Sequence, residues 1–160
     1  MALMGFAKAF ARSPQPLNFV STNTREELLE IQSSIEKYTG SRVYWNDSHR
    51  LCQEKLLGAY IPAYDIMINC VANHDGDELE LIKTAKHEGW HAVQSKCNDN
   101  RAALRDDQIR PHLKEEVRHT LRHQYHPTDH RAEAEARVVE QIPTQNYIRG
   151  IKAYCNHRLQ

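Results

Sequence analysis

The spacing of apolar residues predicts an amphipathic helix near the start of the chain. Leu28, Ile31 and Ile35 recur every three or four residues, which places them on one helix face. Thr24-Arg-Glu-Glu27 has the form of a capping box, and Gly40 is typical of the residue at which a helix ends. We therefore expect the first helix to begin at Thr24 and to stop at Gly40.

Strand-like segments follow this helix. Residues 42–45 predict a short strand, and residues 57–71 predict one or two more, because β-branched and aromatic residues are frequent there. Pro62 cannot donate a backbone hydrogen bond, so it is expected on a sheet edge or at a bend.

Residues 77–94 predict a second long helix, since they contain no proline and a single glycine. Acidic residues at its start suit the positive end of the helix dipole. One mostly apolar stripe is expected to face the core, formed by Leu79, Ile82, Lys86, Gly89 and Val93. Gly89 costs the helix about 1 kcal/mol relative to alanine. Either a close approach by another backbone or by substrate explains that cost, or the glycine is merely tolerated.

Helical patterns continue to the end of the chain. Residues 101–124 are helix-like, with Pro111 expected to start a new helix, and two further helices are predicted over residues 129–142 and 146–157. This order of elements predicts an α+β fold that is mostly α, with a small N-terminal sheet.

Length and charge narrow the class of protein. A chain of 160 residues has room for one domain, which we place at residues 18–160, with an N-terminal arm at residues 1–17. Lys and Arg together number 21, as do Asp and Glu, and no long basic block appears. This balance argues against nucleic-acid or anionic-membrane binding. No apolar run approaches the ~20 residues of a transmembrane helix.

The cysteines carry no motif. Their wide spacing, without a Cys-x-x-Cys pair, argues against a zinc ribbon or a thioredoxin-like redox site. An even count permits disulfides, but the chain is not a small, cysteine-dense secreted scaffold. We expect reduced, buried thiols in a cytoplasmic protein at Cys52, Cys70, Cys97 and Cys155.

The strongest chemical signal is His87-Glu88-Gly89-Trp90-His91, inside the second long helix. Residues four apart share a helix face, so His87 and His91 can offer imidazole nitrogens to one metal ion. Glu88 is one step round the helix, where it can act as general base for a metal-bound water. Both histidines fall away from the predicted core stripe, which argues against two core histidines and leaves solvated surface histidines as the alternative.

The pattern resembles the H-E-x-x-H signature of the zincin metallopeptidases. Residues 133–143 resemble the second helix of gluzincins, in which a glutamate completes the zinc site and an alanine follows, here Glu133 and Ala136. Over roughly residues 55–145, the resemblance implies a minimal zincin-like domain with Zn²⁺ held by His87, His91 and Glu133. It also implies a substrate-pairing edge strand before the metal helix. Residues 64–69 would take that role unless they form an ordinary core strand.

The match departs from the family at Arg137, where gluzincins usually have an Asp or Asn that orients a ligand histidine. Asp129, one turn before Glu133, is the candidate replacement. Glu135 is a rival third ligand, because it shares a stripe with apolar residues and a buried carboxylate needs a cation or metal partner. A histidine as third ligand, or no third ligand, are the remaining alternatives.

Several other side chains are secondary candidates. His119 and His123 form a second pair four residues apart, but no acid is adjacent, which favours a solvated helix face over another metal site. Gln94 has no assigned role. Peptide hydrolysis also needs an oxyanion-stabilising donor, for which the candidates are Tyr125, His126, Tyr147 and Tyr154.

The residues and the resemblance together predict a zinc-dependent metallopeptidase, in which Glu88 activates a zinc-bound water that hydrolyses a peptide or protein substrate. The alternative is a non-catalytic zinc-binding structural or interaction protein. Such a protein would have a closed shell of four ligands, recruiting Asp65 or one of the histidines between residues 119 and 130. A third reading is a helical protein whose motif is accidental.

Overall fold

The structure, a computed structural model, describes residues 16–159. This part of the chain contains seven α-helices and three short β-strands, joined by 3-10 turns and loops. The helices are α1 (Thr22–Thr39), α2 (Arg50–Gln53), α3 (Glu78–Cys97), α4 (Asp106–Ile109), α5 (Glu115–Gln124), α6 (His130–Val139) and α7 (Thr144–Cys155). The strands are β1 (Arg42–Trp45), β2 (Gly58–Ile61) and β3 (Ile66–Asn69). The predicted α+β fold, mostly α, is confirmed.

Helix α1 begins earlier than the capping-box pattern indicated. Its N-cap is Ser21, whose hydroxyl accepts the Thr24 N–H at 3.3 Å, so Thr24 lies in the first turn. Glu78, in the first turn of α3, accepts hydrogen bonds of 2.6 Å from the N–H and the hydroxyl of Ser21. The starts of α1 and α3 are thereby joined. At the other end, Gly40 closes α1 with a left-handed φ of 76°, as predicted.

The strands form one mixed sheet in the order β1-β3-β2. β1 pairs with β3 in parallel, and β2 pairs with β3 in antiparallel orientation. The expectation that residues 64–69 form a substrate-pairing edge strand is therefore wrong, because β3 is central and β2 is the edge beside α3. Pro62 lies between β2 and β3 in a short 3-10 turn, which confirms the predicted bend.

Helix α3 runs through the middle of the fold and packs against α1, α6, α7 and β2. Four of the five residues predicted to face the core are buried: Ile82, Lys86, Gly89 and Val93. Leu79 is instead 63% exposed, and Leu81 takes the core position in that turn. Lys86 tolerates burial because its ammonium group donates to the carbonyl of Ile142 at 2.8 Å.

The cysteines form two disulfides, so the expectation of reduced thiols is wrong. Cys52 pairs with Cys70 and joins α2 to the residue after β3. Cys97 pairs with Cys155 and joins the last residues of α3 and α7. Sequence spacing does not disclose such pairs, because four cysteines allow three connectivities.

The C-terminal helices depart only locally from the predicted ones. Pro111 lies in the first turn of a short 3-10 helix, Arg110–His112, between α4 and α5, so it does not start an α-helix. Leu17, expected in the arm, is buried in the core, so the domain begins before residue 18; the arm up to residue 15 lies outside the described residues. Within residues 16–159, no helix combines the length and the apolar character needed to cross a membrane.

Candidate metal centre

Three side chains with metal-binding donors meet between α3 and α6. α3 presents His87 and His91 from successive turns, and α6 presents Glu133 from its first turn. The Nε2 atoms of the two histidines are 3.1 Å apart. One Glu133 carboxylate oxygen lies 3.0 Å from His87 Nε2, and the other lies 3.1 Å from His91 Nε2. The structure thus brings the three predicted ligands together.

These separations suit a small metal ion. Two imidazole nitrogens and one carboxylate are a known ligand set of catalytic zinc, with bonds of about 2.0–2.2 Å. Ligand atoms at the corners of a tetrahedron of that size lie roughly 3.4 Å apart. The observed separations of 3.0 and 3.1 Å are close to this value.

The outward-facing nitrogen of each histidine has its own acceptor. His87 Nδ1 lies 2.8 Å from a carboxylate oxygen of Glu140, and His91 Nδ1 lies 2.8 Å from the amide oxygen of Gln94. Because these oxygens accept, each Nδ1 is placed to donate, and each Nε2 faces the centre, where it can hold a proton or a metal ion. Asp129, the predicted orienting residue, is exposed and takes no part. That prediction is wrong.

Carboxylates outnumber cations around these donors. Four glutamates line the cleft with the histidines, against two cations: Glu80, Glu88, Glu133 and Glu140, with Lys83 and Arg137. Lys83 pairs with Glu80 at 2.6 Å, and Arg137 lies 3.6 Å from Glu133 and 3.7 Å from Glu140. Four negative charges against two positive charges leave an excess that a divalent cation would neutralise. Burial lowers the pKa of His87, but hydrogen bonds to Glu133 and Glu140 more than offset this and raise it to about 9. The donor set therefore attracts a proton or a metal.

Glu135, the rival ligand, faces the other way. Its carboxylate accepts hydrogen bonds from the indole N–H of Trp90, from Gln94 Nε2 at 3.1 Å and from the Leu104 N–H at 2.6 Å. Its burial is therefore compensated by N–H donors and needs no metal. Of these two rival ligands, Glu133 is the one whose carboxylate lies beside the histidines.

Glu88 lies at the edge of the sheet, next to the metal ligands. One of its carboxylate oxygens, Oε2, accepts the Tyr60 N–H at 2.9 Å. The close contact of β2 with α3 depends on Gly58, where a Cβ would lie 2.8 Å from Thr84 Cγ2 and 3.3 Å from Glu88 Cγ. The edge strand therefore fixes the position of the predicted general base.

The centre opens into a cleft of about 370 Å³ between β2, α3 and α6. A second cleft of about 330 Å³ shares Tyr60, His91, Tyr125 and Glu133 with the first. Two of the three proposed ligands, His91 and Glu133, therefore lie where the two open spaces meet.

Of the candidate oxyanion donors, Tyr125 is the one that lines both clefts. Its pKa is raised, first by burial and then by the charge of Glu133, so its hydroxyl keeps its proton. Tyr147 donates instead to the Lys86 carbonyl at 2.9 Å. Tyr154 packs against an indole ring, and His126 is exposed.

The other proposed ligands stay apart from the centre. Asp65 pairs with Lys96 at 2.7 Å. His119 and His123 are exposed on α5, in agreement with a solvated helix face. Among residues 16–159 the candidate metal-binding group has three members, and a closed shell of four protein ligands is not formed there.

No protein-family model, curated protein or solved structure matches the chain, so the site is interpreted from its own geometry. Sequence reasoning missed the contacts that Gln94 and Glu140 make with the two histidines. Each carried a positional signal, because Gln94 lies one turn after His91 and Glu140 lies two turns after Glu133.

Proposed function

We propose that the protein is a zinc-dependent peptide hydrolase of the kind that its H-E-x-x-H motif resembles. The observation that carries this proposal is the convergence of two imidazole Nε2 atoms and one carboxylate within an open cleft that also contains Glu88. His87, His91 and Glu133 would hold the ion. Zinc is the proposed ion because two histidines and a glutamate are its ligands in the metallopeptidases that the motif resembles.

A bound zinc ion supplies Lewis-acid chemistry: it polarises a carbonyl group and lowers the pKa of a nearby water. The protein supplies orientation and proton transfer. Glu88 Oε2 is engaged by the Tyr60 N–H, so the carboxylate is held in place with its second oxygen left to receive a proton from the attacking water. Tyr125 O–H, on the cleft wall, would donate to the oxygen on which negative charge develops.

The edge strand supports a peptide as substrate. Hydrogen-bonding groups point alternately to the two sides of a strand, and the Tyr60 N–H points away from β3 towards the cleft. The Tyr60 carbonyl points to that same side of β2, along which an extended chain would bind by strand addition. A peptide or protein fits this geometry better than a compact small molecule.

The test of this proposal is the substitution Glu88→Gln. The ligands His87, His91 and Glu133 are untouched, so zinc content should equal that of the wild-type protein. Hydrolysis of a mixed peptide library, followed by mass spectrometry, should fall by at least about a hundredfold, because general-base catalysis contributes that much. Glu115→Gln, an exposed change on α5, is the matched control and should leave both measurements unaltered.

Full hydrolysis by Glu88→Gln would contradict the role of the base. A wild-type protein that binds one zinc ion and cleaves nothing in the library would favour the non-catalytic interaction protein instead. A wild-type protein that does not take up zinc would contradict both the zinc-dependent hydrolase and the zinc-binding interaction protein.

The cytoplasmic location expected from the sequence rested on reduced thiols, and the two disulfides remove that support. Disulfides persist mainly in oxidising compartments, and we propose such a compartment for this protein. Alkylation of protein taken from its own host without reductant should label no cysteine. Four labelled cysteines would contradict the proposed location.

A further inference from the structure

Gln94 and Glu135 are almost fully buried beside the metal centre, although neither is a proposed ligand. Gln94 is 3% exposed and Glu135 is 0% exposed. Burying an amide and a carboxylate costs free energy unless each polar atom finds a partner. Their partners form a chain of hydrogen bonds that leads to His91.

One orientation of the Gln94 amide is strongly favoured. Its Nε2 donates to the carbonyl of Ala132 at 2.9 Å and to a carboxylate oxygen of Glu135 at 3.1 Å. Turning the amide over would place its oxygen against both of these acceptors and would repel them. The oxygen of Gln94 is therefore held 2.8 Å from His91 Nδ1.

Glu135 is itself held in place as an acceptor. N–H groups of Trp90, Gln94 and Leu104 converge on its two oxygens. A carboxylate accepts at both oxygens, whereas an amide at this position would turn a donor towards one of the three N–H groups. The orientation of Gln94 is thus set by α6 and by the loop before α4, not by Gln94 alone.

We propose that Gln94 is a positioning residue for metal binding, and that Glu135 and the Ala132 carbonyl orient it. The amide oxygen holds His91 as the tautomer with hydrogen on Nδ1 and directs the Nε2 lone pair towards His87 and Glu133. This inference rests on the proposed metal site. It also explains a glutamine at position 94, because a carboxylate there would lie about 3.1 Å from that of Glu135.

The first test is Gln94→Leu, which removes the acceptor of His91 Nδ1. We expect the zinc dissociation constant, from competition with a chromophoric chelator, to rise by about tenfold or more. In ¹⁵N spectra of the histidine rings, His91 should lose its single Nδ1–H pattern. Gln32→Leu is the matched control: Gln32 accepts the Trp45 indole N–H at 2.8 Å and donates to Glu36 at 3.1 Å, but lies on α1. It should leave zinc affinity unchanged.

The second test is Gln94→Glu, which keeps acceptor oxygens but removes the N–H that donates to Ala132 and Glu135. Since the side chain should no longer be held against His91, we expect a lower zinc affinity together with a lower denaturant midpoint. Wild-type affinity in Gln94→Glu would overturn the orienting role of Glu135 and the Ala132 carbonyl. Wild-type affinity and an unchanged His91 tautomer in Gln94→Leu would overturn the role of Gln94 itself.

The wild-type protein offers a test that needs no variant to fold. With zinc bound, His91 should carry its proton on Nδ1 and bind the metal through Nε2 in its ¹⁵N spectrum, and binding through Nδ1 instead would overturn the inference. Because none of these measurements involves hydrolysis, a protein that binds zinc and cleaves no peptide would contradict the proposed function and leave the role of Gln94 standing.

Discussion

His87 is the residue at which a proton and a metal ion compete most directly. Its ring nitrogens lie 2.8 Å from Glu140 and 3.0 Å from Glu133. Burial lowers its pKa, and the two carboxylates more than offset this, so the pKa rises to about 9. A metal ion needs the lone pair of Nε2, so the proton has to leave when zinc binds.

We therefore expect the apparent zinc affinity to increase about tenfold per pH unit from near neutrality until pH reaches about 9. The stability of the zinc-free protein should change in the opposite direction. The proton on His87 stabilises that state fully below the unfolded-state pKa of about 6.5, and the contribution is lost as pH rises through about 9.

Competition titrations across this interval measure the first effect, and denaturation of zinc-free protein measures the second. Glu140→Gln removes one of the carboxylates that raise the pKa of His87, so the affinity should level off at a lower pH. An affinity that is constant with pH would contradict the competition between proton and zinc.

At the scale of elements, three helices meet where α3 carries Gly89. A Cβ at this position would clash with Ile35 Cδ1 of α1 and would lie 2.5 Å from Tyr147 Oη of α7. The tyrosine has little freedom to withdraw, because its hydroxyl donates to the Lys86 carbonyl. Position 89 thus requires glycine because the side chains of Ile35 and Tyr147 fill the space beside it. The predicted close approach of another backbone or of substrate is not observed there.

Gly89→Ala should lower the free energy of unfolding. Alanine favours a helix by about 1 kcal/mol over glycine, but overpacking costs about 1–3 kcal/mol, so the net loss should reach about 2 kcal/mol. Urea denaturation measures it. Ile35→Val and Tyr147→Phe remove the atoms in conflict and should restore much of the loss. Gly150→Ala is the control, since its Cβ would meet Trp90 at an ordinary 3.6 Å; an equal loss there would contradict the explanation.

At the scale of the molecule, two disulfides link elements that are distant in sequence. Cys97–Cys155 spans 58 residues and ties α3, with its two histidines, to the C-terminal helix. Cys52–Cys70 spans 18 residues and ties α2 to the end of β3. In the chain-entropy model the longer closed loop restricts the unfolded chain more strongly.

Removing Cys97–Cys155 by paired alanine substitutions should therefore lower the free energy of unfolding by at most about 4 kcal/mol, against about 3 kcal/mol for Cys52–Cys70. Each pair is to be removed with the other left intact, so that the unfolding curves of the two variants and the wild type can be compared directly. In strong reductant the unfolding curves of the two variants and the wild type should coincide, because no disulfide remains in any of them. Equal stabilities of all three without reductant would contradict a structural role for the disulfides.

Local patterns were enough to predict the long helices α1 and α3, the later helices α6 and α7, the strands, and the pair His87 and His91. Helix periodicity depends on neighbours within two turns, so it is written in consecutive residues. The H-E-x-x-H spacing is local for the same reason. The α+β fold, mostly α, follows from the order of these elements.

The partners of these elements were decided by tertiary structure. Glu133 and Glu135 are two residues apart on a helix and therefore point to nearly opposite sides of α6. Which of them faces the histidines depends on how α6 is rotated against α3, and that rotation is set by contacts outside the helix. Strand order and disulfide pairing likewise join residues far apart in the chain. The sequence by itself determined the local donors and their helices; only the packing of α6 and β2 on α3 decided which carboxylates surround them, because that packing depends on contacts spread over the whole core.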